Sequence, residues 1–184
     1  EVSALIVERF VAEGIRVLTG HAAERFIAAP EGNVLLCSRG EQEVRIGFDR
    51  VLCALGRAPY TEGLGLEALG IGSKGNGAIE VDEYDRTSIP TIYACGDVAG
   101  PYQFTHTAAH SAWYATVNAL FGAVRRFKVD YRVIPWCTFT DPEVARVGLN
   151  EMEAQAAGIA HEVSVYPLAE LDRAITDEAA FGFV

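Results

Sequence analysis

The sequence predicts an α/β fold, and three observations carry that reading. A β-branched and aromatic run, Thr91-Ile92-Tyr93-Ala94-Cys95, leads straight into Gly96-Asp97 and, past Gly100-Pro101, into a helical stretch over about 105–121. Residues 49–55 (DRVLCAL) hold an unbroken apolar run, the pattern of a strand buried on both faces. Residues 1–13 carry apolar side chains at helical spacing, and Gly14 stands where a helix C-cap belongs.

The remaining elements follow in chain order. Ile15-Arg16-Val17-Leu18 reads as a strand, and residues 22–28, 34–38 and 43–48 as three more. Pro30-Glu31-Gly32-Asn33 and Arg39-Gly40-Glu41 supply turns, so these three form a small antiparallel meander. Residues 60–80 are rich in glycine around a short Leu-Glu-Ala-Leu helical turn; a strand over 78–81 and a turn over 82–86 follow. On the helix over 105–121, Ala108, Ala112, Ala115 and Ala119 make a stripe of small residues. Close approach to a sheet or a ligand explains that stripe, and ordinary core packing explains it equally well. Beyond Val129, residues 133–139 and 144–147 read as strands joined across Asp141-Pro142. Asn150 is a helix N-cap with Glu153 placed for a capping box, and that helix ends near Gly158. Residues 163–166 read as a strand, and 181–184 as a strand cut off midway, so both chain ends look truncated.

Composition narrows the function classes. The 184 residues suffice for a sizeable core, and half of them are apolar. A net charge of −10, spread along the chain, argues against nucleic acid or an anionic membrane surface as partner. No run reaches the ~18 apolar residues of a membrane span, and no leader opens the chain, so a cytoplasmic protein is expected. Cys37, Cys53, Cys95 and Cys137 lie far apart in apolar runs and are expected to be reduced, buried thiols.

Three motifs concern ligands. Gly63-Leu64-Gly65-Leu66-Glu67-Ala68 fits a dinucleotide glycine pattern, but Pro59-Tyr60-Thr61-Glu62 precedes it instead of a hydrophobic strand. It reads as a surface turn. Gly56-Arg57-Ala58-Pro59 closes an apolar run; glycine permits close approach and arginine offers a fork for phosphate or ribose. A plain strand-ending turn accounts for those residues on their own.

Gly96-Asp97 is the most specific. An ionised aspartate only accepts hydrogen bonds, which suits the hydroxyls of a ribityl or ribose chain, and Gly96 leaves room for that approach. Gln103, Phe104, Thr105 and His106 then open a helix, where free N–H groups and the helix dipole favour negative charge, as on a reduced flavin ring. His106 and His110 share a helix face, yet no glutamate completes a zinc motif and no third ligand is evident, so no metal is expected. His106 is expected to serve the helix cap or the cofactor edge.

Residues 49–60 (DRVLCALGRAPY), 79–100 (IEVDEYDRTSIPTIYACGDVAG), 103–109 (QFTHTAA) and 135–149 (PWCTFTDPEVARVGL) together resemble the pyridine nucleotide-disulfide oxidoreductases. That family includes the dihydrolipoamide dehydrogenases, glutathione reductases and mercuric reductases. The resemblance implies part of an FAD- and NAD(P)-binding, Rossmann-like flavoprotein plus the start of an α+β interface domain. Residues 1–56 correspond to the second half of the NAD(P) domain, 57–122 to the returning FAD segment and 123–184 to the interface domain. It implies that Gly96 and Asp97 hold the flavin's ribityl chain and that Gln103, Phe104, Thr105 and His106 lie along the isoalloxazine edge. Gly56 corresponds to a position beside NAD(P)H, and Ala23 to a further cofactor contact.

The resemblance also implies a homodimer and a small-molecule or disulfide electron acceptor. The family's redox disulfide and glycine loops are expected before Glu1, and its catalytic His-Glu pair after Val184. The chain is therefore expected to be a piece of the enzyme with no catalytic residue of its own; the rival reading is a folding or association module without cofactor. Phe104-Thr105-His106, Ala108-Ala109 and Thr140-Asp141-Pro142-Glu143 lean towards the mercuric reductases, while Tyr60 departs from the asparagine common in the family.

Overall fold

The computed structural model describes residues 2–30 and 32–184. In chain order the helices and strands are α1 (Val2–Ala12), β1 (Ala22–Ala29), β2 (Gly32–Arg39), β3 (Gln42–Phe48), α2 (Leu66–Leu69), α3 (Thr105–Phe121), β4 (Pro135–Thr138), β5 (Val144–Val147), α4 (Glu151–Ala156) and α5 (Asp172–Thr176). Short 3₁₀ turns occur at Gly96–Val98 and Leu168–Glu170. Two compact units result: residues 1–54, 137–145 and 161–184 make the first, and 55–136 with 146–160 the second. No helix among the described residues is long and apolar enough to cross a membrane.

In the first unit, α1 stops where the sequence says it should. Gly14 takes a φ of +83°, and the Ile15 and Gly14 N–H groups return to the Phe10 and Val11 carbonyls, which satisfies the helix end. The meander forms as expected, antiparallel in the order β1-β2-β3. Gly40, at φ +60°, opens the two-residue β2–β3 loop, where a positive φ matches the twist of the paired strands. Leu36 and Cys37 on the central strand are consecutive, so they point to opposite faces, and both are buried.

The second unit gathers its core from chain segments with little regular structure. Leu66, Ile71, Ile79, Ala94 and Ala99 pack together, with Val81, Ile89, Ile92 and Val98 against them. Helix α3 buries a face that is mostly polar: Thr107, Ser111, Ala115 and Asn118. Asn118 satisfies its amide completely across turns, donating to the Phe127 and Tyr84 carbonyls at 2.8 and 3.3 Å and accepting from Phe127 N–H at 2.8 Å. Helix α4 opens with the expected box, Glu153 N–H donating to the Asn150 side chain and Asn150 N–H to the Glu153 carboxylate.

Several expected strands do not form. Residues 49–55 run without ladder partners among the described residues, and Leu52 and Leu55 are 91 % and 90 % exposed. The apolar run reports a demand for burial, but a strand exists only where a neighbour takes its hydrogen bonds. Residues 15–18 lack a partner strand among the described residues for the same reason; of the strand expected over 163–166 only Tyr166 pairs, exchanging hydrogen bonds with Val184 beside the isolated Pro167–Phe183 bridge. Residues 78–81 and 91–95 are held by single bridges, Ser73 to Ile79 and Arg86 to Tyr93. The small-residue stripe on α3 is only partly buried, since Ala119 is exposed and the buried line runs through Ser111 and Asn118. Of the four thiols only Cys37 is buried; Cys95 and Cys137 are half-buried and Cys53 is exposed.

Candidate functional site

The Gly96-Asp97 turn is built from below by close packing. Cys95 arrives in an extended conformation, Gly96 turns at φ +72°, and the Ala99 and Gly100 N–H groups both return to the Gly96 carbonyl at 3.0 Å. A Cβ on Gly96 would stand 2.9 Å from the Ala108 Cβ. Glycine is therefore required here by helix α3 lying against the turn, quite apart from any ligand. Further straps fix the loop: Ile79 N–H donates to the Val98 carbonyl at 2.7 Å, and the Lys74 ammonium to the Ala99 carbonyl at 2.9 Å.

On this buried footing the Asp97 carboxylate reaches outward and is 41 % exposed. Arg57 approaches it at 3.7 Å, and the Gln103 amide donates to the Arg57 carbonyl at 3.5 Å. Gly56, Arg57, Asp97 and Gln103 are thus brought together, and the Arg57–Asp97 pairing was not evident from the sequence. Gly56 has a φ of +96° and open space where a Cβ would lie. Ala23 belongs to the other unit, on an exposed position of β1.

Helix α3 begins just beyond. Its N-cap, Phe104, offers no polar side chain, so no side chain caps the first turn. Thr107 instead folds back, donating to the Phe104 carbonyl at 2.8 Å and accepting from its N–H at 3.3 Å. Thr105 is exposed in the first turn. The Phe104 ring stacks on the His106 imidazole, centroids 5.4 Å apart and planes within 6°. His106 Nε2 lies 2.7 Å from the Pro135 carbonyl. A carbonyl only accepts, so Nε2 carries the hydrogen of this bond. This bond fastens the helix start to Pro135, the first residue of strand β4. His110 donates in the same way to the Asp130 carbonyl at 2.8 Å.

The residues beneath the site were not legible in advance. Asp85 is 3 % exposed at φ +59°, and Ser111 is 1 % exposed. The Ser111 hydroxyl donates to the Asp85 carboxylate at 2.6 Å and accepts from Gly96 N–H at 3.4 Å. Burial, the largest cause, pushes the Asp85 carboxyl above its ordinary value, with Asp82 adding and the Ser111 hydrogen bond, His110 and Lys74 opposing. Burial likewise raises the Cys95 thiol, with the Asp85 charge adding, so this sulfur stays protonated and unreactive at neutral pH.

The Asp85 shift has a consequence for stability. The folded chain holds this proton more tightly than the unfolded chain does, so Asp85's contribution is full below about pH 4 and is lost as pH rises through the raised folded value. Asp85→Asn removes that loss, and asparagine tolerates a positive φ. Denaturant unfolding from pH 4 to 7 should therefore show the variant gaining on the wild type as pH rises. A stability difference independent of pH would contradict the assignment.

Sequence comparison decides the family. The family model for pyridine nucleotide-disulphide oxidoreductases matches residues 1–112, and that for their dimerisation domain matches residues 134–184. The chain belongs to the pyridine nucleotide-disulphide oxidoreductases. Among the relatives of this oxidoreductase chain, a mercuric reductase of Staphylococcus aureus is 36 % identical over 182 residues, covering 99 % of the chain and 33 % of the relative. A dihydrolipoyl dehydrogenase of Thermus scotoductus is 38 % identical over 186 residues, covering 100 % and 40 %. The solved structure of LpdA from Mycobacterium tuberculosis superposes with a TM-score of 0.82 at 30 % identity, over 96 % of this chain and 37 % of that one. The HOCl-induced flavoprotein disulfide reductase RclA from Escherichia coli gives 0.79 at 26 % identity, over 98 % and 40 %. The chain thus spans a third to two fifths of the length of these relatives, and the α/β fold expected from the sequence is the one it shares with them.

Proposed function

We propose that the protein containing this chain is an FAD-dependent, NAD(P)H-oxidising homodimeric oxidoreductase, and that residues 57–122 supply its second flavin contact. The observation that carries this reading is the Asp97 carboxylate, outward-facing on a buried turn, one loop ahead of a 17-residue helix whose N-terminus no side chain caps. The donor set fits a flavin. Asp97 can only accept, as ribityl hydroxyls require, and the open N–H groups at the start of α3 favour the negative charge of a reduced ring. Gly96, Asp97, Gln103, Phe104, Thr105 and His106 would line this contact, with Gly56 beside the nicotinamide and Ala23 a further contact in the NAD(P) portion.

When bound, the flavin supplies two-electron chemistry between a nicotinamide and an acceptor of the disulfide or thiol-bound metal class. The chain's own residues bind and orient. Asp97 fixes the sugar chain by accepting hydrogen bonds, Arg57 balances its charge, and the Pro135–His106 bond holds the start of α3 in place. The match to the dimerisation domain supports a homodimer built through residues 123–184.

Purification of the full-length protein without added flavin tests this. A yellow protein with flavin absorbance, bleached by NADH or NADPH, is the expected result. A colourless protein that binds no flavin on titration would sink it and favour the association module instead.

A further inference from the structure

We propose that Asp85 and Ser111 are positioning residues for the Gly96-Asp97 contact, acting through the backbone on either side of the turn. The proposal rests on the flavin reading of Asp97 and adds to it the groups that set its geometry.

Asp85 grips the approach to the turn twice. Its backbone carbonyl accepts from Ala94 N–H at 3.0 Å, two residues before Gly96. Its carboxylate accepts from Ser111 at 2.6 Å, and Ser111 in turn accepts from Gly96 N–H at 3.4 Å. Asp85, at a φ of +59°, presents its carbonyl to the segment entering the turn and its carboxylate to helix α3. Asp82 braces it from behind, taking Asp85 N–H on its carbonyl at 3.1 Å and Tyr84 and Arg86 N–H on its carboxylate.

Burial makes the link consequential. Both side chains are almost wholly out of water, so a donor or acceptor that loses its partner here has no solvent to replace it. Gly96 N–H is the group at stake. It is buried, and the helix face carrying Ser111 is its support. Without that oxygen the turn must shift to find another acceptor, and Asp97, the next residue, shifts with it. Neither Asp85 nor Ser111 is exposed enough to touch a cofactor, so any effect on flavin passes through the turn.

The test uses the full-length protein stripped of flavin, FAD as the titrant, and thermal unfolding with and without FAD. Ser111→Ala should raise the FAD dissociation constant about tenfold and shrink the rise in Tm that FAD produces. Ser111→Cys, near in volume but a weak acceptor, should do the same and covers the case in which alanine fails to fold. Asp85→Gly, which removes the carboxylate and tolerates the positive φ, should raise the dissociation constant as Ser111→Ala does, and Asp85→Asn, which still accepts from Ser111, should restore it to within about threefold of the wild type. An unchanged dissociation constant in Ser111→Cys, or equal losses of Tm with and without FAD, would show a merely structural role and overturn the proposal. If the wild-type protein itself binds no FAD, the flavin reading fails and the proposal falls with it, which separates the two failures.

Discussion

Gly96→Ala is expected to damage both the fold and the flavin contact, and to do so more than any other single change in the turn. Two costs add at this position. A non-glycine residue at φ +72° pays roughly 1–2 kcal/mol for the left-handed conformation. The new methyl would also stand 2.9 Å from the Ala108 Cβ and 3.4 Å from its Cα, which forces helix and turn apart at a cost of about 1–3 kcal/mol. The sum is on the order of 2–5 kcal/mol, enough to lower Tm by several degrees. The relief of this strain moves Asp97, so flavin content should fall as well. Adding Ala108→Gly removes the clashing methyl, and the cycle cancels the conformational cost at 96 and the helix cost of glycine at 108. A double-mutant cycle on Tm should therefore return a coupling of at least about 1 kcal/mol between positions 96 and 108. Strict additivity would mean that the helix does not bear on the turn.

Asp97→Ala should give the opposite pattern, a large loss of flavin with almost no loss of stability. The Asp97 carboxylate is 41 % exposed and its partner Arg57 is 74 % exposed at 3.7 Å, an ion pair of the kind that contributes about 0–1 kcal/mol. Nothing in the fold depends on it. A hydrogen bond from a hydroxyl to a carboxylate, by contrast, contributes about 1.5–3 kcal/mol, so its removal should weaken flavin binding roughly 10- to 150-fold. Asp97→Asn keeps one accepting oxygen and should fall between the two. Titration of the flavin-free protein with FAD reads the affinity, and thermal unfolding reads the stability. Equal loss of both would place Asp97 among the structural residues and remove its assigned role.

The contrast between these neighbours mirrors what local sequence conveys. Helix α3 was legible at both ends because its start follows a Gly-Pro loop and its stop precedes Gly122. The meander was legible because Gly32 and Gly40 mark its turns, and α4 because Asn150 and Glu153 cap each other within four residues. Each of these rests on interactions close in sequence. The strands expected over 15–18 and 49–55 needed distant partners, and apolar composition alone does not say whether a partner is present.

The site divides along the same line. Asp97 and the opening of α3 stood out as residue types in a recognisable order. Asp85 did not, because an aspartate in a turn reads as a solvated charge, and its burial depends on Ser111, 26 residues away. His106 read as a cap or cofactor contact, and its hydrogen bond to the Pro135 carbonyl, 29 residues on, was not legible. Gly96 read as room for a ligand, and the structure adds Ala108 as a neighbour that calls for glycine there.

The most direct test of the Gly96-Asp97 site is a structure of the full-length protein with its flavin bound. An Asp97 oxygen within about 3 Å of a ribityl hydroxyl, on a turn still anchored to Ala108 and Ser111, is the predicted result. A flavin bound elsewhere, with Asp97 paired to Arg57 alone, would contradict it.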